Sequence, residues 1–430
     1  MKSWTLLTAL LLITSAASAQ RQIRGRVTAA DNGKPLAGAS VFISNTSRGT
    51  VTDEKGMFVL DNVPDGRYVL VISSVGYQTD LETIDSRYPQ ADYAITLRTK
   101  IAELGEVTVR AFDKDGYKRW GELFRENFIG TSDFARNCKI LNPEVIKIHY
   151  APKSRTLSAY SDGPILVQNA ALGYEVQVTL DDFHYYLANG ETRFSFFPLF
   201  REMPGSPSKK ARWARNRNQA YFGSTLHFFR ALYQDRVREE GFVMHTEAGA
   251  DSAEVQRIKN NLRRALIQAR EAAGPDGQHM SPEALLGANV LATFDNALDN
   301  ARSSMGKPYL YNGETPLSQV VVARDSNVMV LEFDDYLRVT YLRNKAPSRY
   351  FNDVIIDPNH PESGRKIAVT RSGLEGMTTH LELIRGLPME VFANGSNINT
   401  DLSFDGYWNW WERIGNMLPY DYVPEPLPTP

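Results

Sequence analysis

Cysteine is nearly missing from this chain. Cys138 is the only one in 430 residues, so no internal disulfide can form and stability must come from apolar cores. Cys138 itself reads as a small buried hydrophobe. His149 is close to it in sequence, but no third group completes a thiol site. Net charge is almost absent too, −2 at pH 7, which leaves no global field to attract nucleic acid or an anionic membrane. Beyond the N-terminus no apolar run approaches membrane-spanning length. The helical middle leaves too little room for the alternating strands of a membrane barrel. G-x-S-x-G, the phosphate-binding P-loop and the dinucleotide fingerprint do not occur. Ser206 and Lys209 fit S-x-x-K, but Gly205 and Pro207 place them in a loop.

Histidine is sparse as well. The seven are His149, His184, His227, His245, His279, His360 and His380. None has Glu three residues later and H-E-x-x-H is absent, so zinc-peptidase chemistry has no ligand set. His245 and Glu247 are two apart, as are His380 and Glu382. On a strand that spacing puts each pair on one face, but no third ligand follows. No metal and no cofactor are expected.

What is present begins with MKSWTLLTALLLITSAASAQ. Lys2, the apolar stretch Leu6 to Ile13 and the A-x-A pattern Ala17-Ser18-Ala19 read as a signal peptide over residues 1–19, too short for a membrane span. The expected location is the periplasm or the outer-membrane periphery. No Cys follows the cleavage site, so a lipid anchor is not indicated. Residues 20–110 then alternate short apolar runs with turn residues. IRGRVTA precedes Asp31-Asn32-Gly33, ASVFIS precedes Asn45, and GMFVL precedes Asn62 and Pro64. Val69 to Ile72 is apolar on both faces, as a central strand should be. In DYAITLR, Tyr93, Ile95 and Leu97 alternate with polar residues. Turns spaced by roughly eight to twelve residues indicate a β-sandwich.

The segments GKPLAGASV, GTVTDEKGMF and SSVGY resemble the carboxypeptidase regulatory-like domain. That resemblance implies a transthyretin-like Greek-key sandwich, common in exported proteins of Bacteroidota-type bacteria. Asp53 should bond the backbone of a tight turn that Gly56 completes. Leu104 to Val109 is similar to segments that follow this domain in TonB-dependent receptors. No plug and barrel follow here, which argues against a transporter. The peptidase chemistry in the domain's name does not come with it.

Residues 111–130 change period. Tyr117, Trp120, Leu123, Phe124 and Phe128 recur at helical spacing, which predicts a connecting helix. Residues 131–422 read as an antiparallel β domain interrupted by helices around 210–302, and 423–430 is a proline-rich tail. The fold class is mainly β, with an α+β second domain. Segments such as CKILNPEVIKIHY and GYWNWWERIGNMLPYDY are similar to a group of exported Bacteroidota proteins with the same domain order. That likeness implies a location and brings no catalytic residues.

Two surface candidates emerge for binding. Lys209, Lys210, Arg212, Arg215 and Arg217 cluster around Trp213, which suits an anion or polysaccharide, or else a solvated helix entry. Trp408 and Trp410 lie in an aromatic cluster that suits sugar stacking. However, Ile414, Met417 and Leu418 continue its spacing, so the alternative is a helix docked on the core. The acidic pairs Asp181-Asp182 and Asp334-Asp335 each follow a strand. Neighbours on a strand point to opposite faces, so one pair alone makes no site. The reading is a non-enzymatic binding or scaffolding protein of the cell envelope, its partner an envelope protein or glycan and not nucleic acid. The alternatives are a hydrolase of glycans or peptides, assembled from distant residues such as His149, His184, Asp181 and Asp182, or a carbohydrate-binding accessory protein. Oligomeric state is left open.

Overall fold

The computed structural model describes residues 22–87, 92–99, 112–188, 190–249, 253–274, 282–303, 309–325, 328–334, 336–357, 365–371, 377–397 and 402–425. Residues 1–19, expected to be a signal peptide, Leu104 to Val109, Asp335 and most of the proline-rich tail lie outside them. The chain divides into two units: residues 1–43 with 48–102, and residues 44–47 with 103–430.

The described residues of the first unit hold seven strands: β1 (Ile23–Ala29), β2 (Ser40–Ile43), β3 (Gly49–Val51), β4 (Met57–Leu60), β5 (Arg67–Ser73), β6 (Asp80–Asp85) and β7 (Tyr93–Leu97). They form two sheets, β4-β1-β7 and β3-β2-β5-β6. In β1 the even alternation buries Ile23, Val27 and Ala29 and exposes Arg24 and Arg26. Leu70, Val71 and Ile72 of β5 are all buried, because β5 lies between β2 and β6. Each fully buried aliphatic side chain of this kind contributes about 1.5–3 kcal/mol. The turn into β4 forms as its residues predict. Asp53 Oδ1 accepts the N–H groups of Lys55 and Met57 at 2.9 and 2.8 Å, and Gly56 has φ +74°. β1 pairs antiparallel with β4 but parallel with β7, from Gly25↔Tyr93 to Ala29↔Leu97.

The second unit opens with the helix Gly116–Phe128, whose buried stripe is Trp120, Leu123, Phe124 and Phe128. A six-stranded sheet follows, of β8 (Cys138–Ile140), β9 (Ile146–Ala151), β10 (Thr156–Ser161), β11 (Ile165–Asn169), β12 (Tyr174–Tyr186) and β13 (Glu191–Glu202). β11 pairs with the first part of β12 and β10 with its last part, while β13 runs along its other edge. The β12–β13 ladder carries a bulge between Leu180 and Asp182. Its inner face, with Val176, Val178, Phe183 and Tyr185, joins the main apolar core.

Helices Pro207–Tyr221 and Thr225–Tyr233 come next. Each has a serine N-cap: Ser206 accepts from the Lys209 N–H and Ser224 from the His227 N–H. The S-x-x-K match is therefore a helix cap. The expected helical stretch contains one strand, β14 (Phe242–Gly249), and the helices Ala253–Ala273, Pro282–Leu286 and Ala288–Ser303. β14 is not peripheral. Together with β15 (Tyr309–Glu314), β18 (Tyr336–Tyr341), β21 (Met377–Leu383) and β23 (Leu402–Gly406) it forms a sheet of order β15-β14-β18-β21-β23. Two smaller sheets are β16 (Val321–Arg324), β17 (Val328–Leu331) and β22 (Met389–Phe392), and β19 (Asn352–Ile356) with β20 (Lys366–Thr370). The short helix Tyr407–Trp411 ends the strand run. Among the described residues no helix is long and apolar enough to cross a membrane.

Candidate functional site

The tryptophans singled out by the sequence are interior. Trp213 is 4% exposed and donates its indole N–H to the Ala170 carbonyl at 3.0 Å. Gly173 makes room for it: a Cβ there would stand 2.2 Å from Trp213 Cδ2. Arg212 and Arg215 are exposed on the same helix, but the indole they flank is turned inward. Trp408 and Trp410 are 2% and 8% exposed. Their N–H groups go to the Gly223 carbonyl at 2.7 Å and to Asp353 Oδ2 at 2.9 Å. The docked-helix alternative describes this cluster, since Tyr407, Trp411, Ile414 and Leu418 are in the core as well. Asp353, fully buried, also accepts from the Thr131 hydroxyl at 2.6 Å and lies beside Arg349 and Arg371. Cys138 donates to the Phe134 carbonyl, and burial pushes its thiol up to about 12. Little of it is thiolate at neutral pH, which weakens it as a nucleophile.

The structure does assemble polar groups that the sequence left scattered. On the outer face of the six-stranded sheet one row crosses four strands. His149 pairs with Ser158, Ser158 with His184, and His184 with Arg193. Their strand neighbours Ile148, Leu157, Ala159, Phe183 and Tyr185 are buried on the opposite face, so the row is partly open to solvent by simple alternation. Ser158 Oγ is 2.8 Å from His184 Nδ1, and His184 Nε2 is 3.1 Å from Asp182 Oδ1. An ionised carboxylate only accepts, so Nε2 carries the proton and Nδ1 is the acceptor for the Ser158 hydroxyl. At the other end of the row His149 Nδ1 is 3.1 Å from Asp113 Oδ1. Arg193 pairs with Glu191 at 2.6 Å and Asp299 at 3.6 Å, and lies over the Tyr186 ring at 5.6 Å.

The bulge explains how Asp182 reaches this face. The extra residue lets exposed Asp181 and partly exposed Asp182 both avoid the core, against the strict alternation expected of adjacent strand residues. His149, His184 and Asp182 were therefore readable as residue types. Ser158 was not, because only the strand register joins it to them.

A second row lies on the five-stranded sheet. His245 pairs with Arg338, Arg338 with His380, and His380 with Asp405. Glu247, 5% exposed, holds Arg338 Nη1 at 3.0 Å and His380 Nε2 at 3.2 Å. The two-residue spacings His245/Glu247 and His380/Glu382 thus do share one face. Burial, followed by the charge of Arg338, lowers the pKa of His245. Buried Lys259 approaches this group, 3.9 Å from Glu382, and donates to the Asp334 carbonyl at 3.0 Å. Both oxygens of Glu247 are engaged within this row. Among the described residues no three His, Cys, Asp or Glu side chains are placed to hold a metal.

The CarboxypepD_reg-like domain family matches residues 23–109. A TonB-dependent receptor of Formosa agariphila is 34% identical over 113 residues, which is 26% of this chain and 10% of the receptor. The chain therefore spans about a tenth of that curated relative's length. Two crystal structures of mutant type II cohesin–X-dockerin complexes from Acetivibrio cellulolyticus are 22% and 26% identical. They cover 18% and 17% of this chain and 57% and 51% of theirs, with TM-scores of 0.16 and 0.14. On the family match, the two-sheet sandwich and the turn at Asp53 and Gly56, residues 23–109 form a carboxypeptidase regulatory-like domain.

Proposed function

We propose that this chain is an exported cell-envelope binding or scaffolding protein, with a regulatory-like domain followed by a larger unit that presents a binding face. The carrying observation is the open row His149–Ser158–His184–Arg193 with Tyr186 beside it. A sheet face with hydroxyl, imidazole, guanidinium and phenol groups in register suits an extended polar partner, such as a peptide or a glycan chain. The leader-like N-terminus supports the location. The test is in-cell photo-crosslinking from position 186 of the full chain, followed by mass spectrometry. One abundant envelope partner, lost in a His149→Ala, Arg193→Ala double variant that still folds, is the expected result. A partner that persists in that variant, or no partner at all, refutes the reading.

One observation favours a second reading, a hydrolase: the order Ser158–His184–Asp182, with the hydroxyl hydrogen-bonded to the imidazole and the carboxylate 3.1 Å from its far nitrogen. It is the arrangement a serine nucleophile needs, with a base on the hydroxyl and a carboxylate fixing the base's tautomer.

A further inference from the structure

Resting on that second reading, we infer that Ser158 is an acyl-accepting nucleophile, activated by His184, that cleaves uncharged carboxylic esters at the open face of the sheet. Three features carry this. The Ser158 hydroxyl meets the unprotonated nitrogen of His184 at 2.8 Å, so the proton has an acceptor before any substrate arrives. Asp182 holds the far ring nitrogen at 3.1 Å, which fixes the tautomer and faces the imidazolium that forms. The bulge between Leu180 and Asp182 brings that carboxylate onto the same face as His184.

In the step, Ser158 Oγ attacks the acyl carbon and its proton passes to His184 Nδ1. When the tetrahedral adduct collapses, the bond to the alcohol oxygen breaks and His184 returns the proton to that oxygen. The acyl group remains as an ester on Ser158. Water then repeats the sequence and releases the carboxylic acid.

The surroundings set both substrate and rate. Asp182 and Asp113 flank the row, while the charge of Arg193 is offset by Glu191 and Asp299. An anionic ester is therefore disfavoured and a neutral one fits. β10 is paired on both sides, with β9 and β12, so its backbone N–H groups are engaged in the ladders. Without a backbone oxyanion donor the rate loses about 10²–10³-fold. Slow acylation, resolved as a labelled serine, is the expected behaviour.

The experiment treats the full chain with a fluorophosphonate and, separately, with p-nitrophenyl acetate. Peptide mass spectrometry locates the adduct and absorbance follows nitrophenol. The adduct is expected on Ser158, absent in Ser158→Ala, and slower by about a hundredfold or more in His184→Gln. Asp182 is a positioning residue. Asp182→Asn should slow labelling, and Asp182→Glu should recover part of the rate, which a merely structural role would not produce. Melting curves followed by tryptophan fluorescence establish that each variant is folded. An adduct elsewhere, or ester hydrolysis undiminished in Ser158→Ala, overturns the proposal, and a hydrolase would then act through groups other than Ser158. No adduct and no hydrolysis of esters, peptides or glycans overturns both.

Discussion

Glu412 offers a quantitative test of the second unit. It follows the helix Tyr407–Trp411, and its Oε1 accepts the Thr225 N–H at 2.9 Å. Burial raises its carboxyl from the ordinary 4.5 to about 7, although the Thr225 contacts pull the other way. Between those two values the native state holds a proton that the unfolded chain has released. Stability is therefore lost as pH rises through this window and stays lost above it. At about 1.4 kcal/mol per pH unit the span amounts to about 3 kcal/mol. Partial exposure of the residue trims this to about 2 kcal/mol. Glu412→Gln keeps the acceptor oxygen and removes the titration. The difference in unfolding free energy, variant minus wild type, should climb by about 2 kcal/mol from pH 4.5 to pH 8. His227 acts in the opposite sense. Burial holds its pKa below the ordinary value, so wild type and variant alike lose stability toward acid, and the subtraction cancels that term. Urea unfolding at several pH values is the assay. Apart from Trp4, every tryptophan, Trp120, Trp213, Trp408, Trp410 and Trp411, belongs to the second unit, so indole fluorescence reports chiefly on it. A pH-independent offset would only reflect amide for carboxylate. A difference that stays flat across the window, or falls with pH, refutes the reasoning.

Other outcomes follow from groups held in or against the core. Asp353→Ala should destabilise the second unit by about 3–5 kcal/mol, since Arg349, Arg371 and the Trp410 N–H lose a buried partner; a loss under about 1 kcal/mol in urea unfolding counts against this network. Gly173→Ala places a Cβ against Trp213 at φ +73° and should cost about 2–4 kcal/mol, with a shifted emission spectrum. Cys138 in the native protein should react with iodoacetamide at pH 8 roughly a thousandfold more slowly than a free thiol, and at the ordinary rate once unfolded. Fast alkylation of the folded chain would show that the thiol is not enclosed.

Local patterning made much of the fold legible. The apolar run at Val69 to Ile72 marked a central strand, and Asp53 with Gly56 marked the turn, because both signals lie within a few residues. The stripe from Trp120 to Phe128 marked a helix on the same basis. β14 was obscured because its eight residues lie between strongly charged, helix-like neighbours, and its alternation is too short to compete. The aromatic cluster gave its spacing but not its side: Trp408 is interior because its indole reaches the Gly223 carbonyl, a partner 185 positions away. The site residues behave likewise. Spacing of two put His245 with Glu247 and His380 with Glu382 correctly on shared faces. No local rule joins Ser158 to His184, 26 positions on. That contact depends on the β10–β12 register, and the reach of Asp182 depends on a bulge with no glycine to announce it.

The parallel pairing of β1 with β7 has a mechanical consequence. These strands run in the same direction, so the chain enters the sandwich at one end of the pair and leaves at the other. Tension applied through the ends of the domain loads the hydrogen bonds from Gly25↔Tyr93 to Ala29↔Leu97 together, in shear. An antiparallel pair pulled from adjacent ends would instead open one bond at a time. The pairing resists stretching between the two ends of the domain, and a force spectrometer pulling from residues 22 and 99 should record a single high rupture peak instead of gradual unzipping.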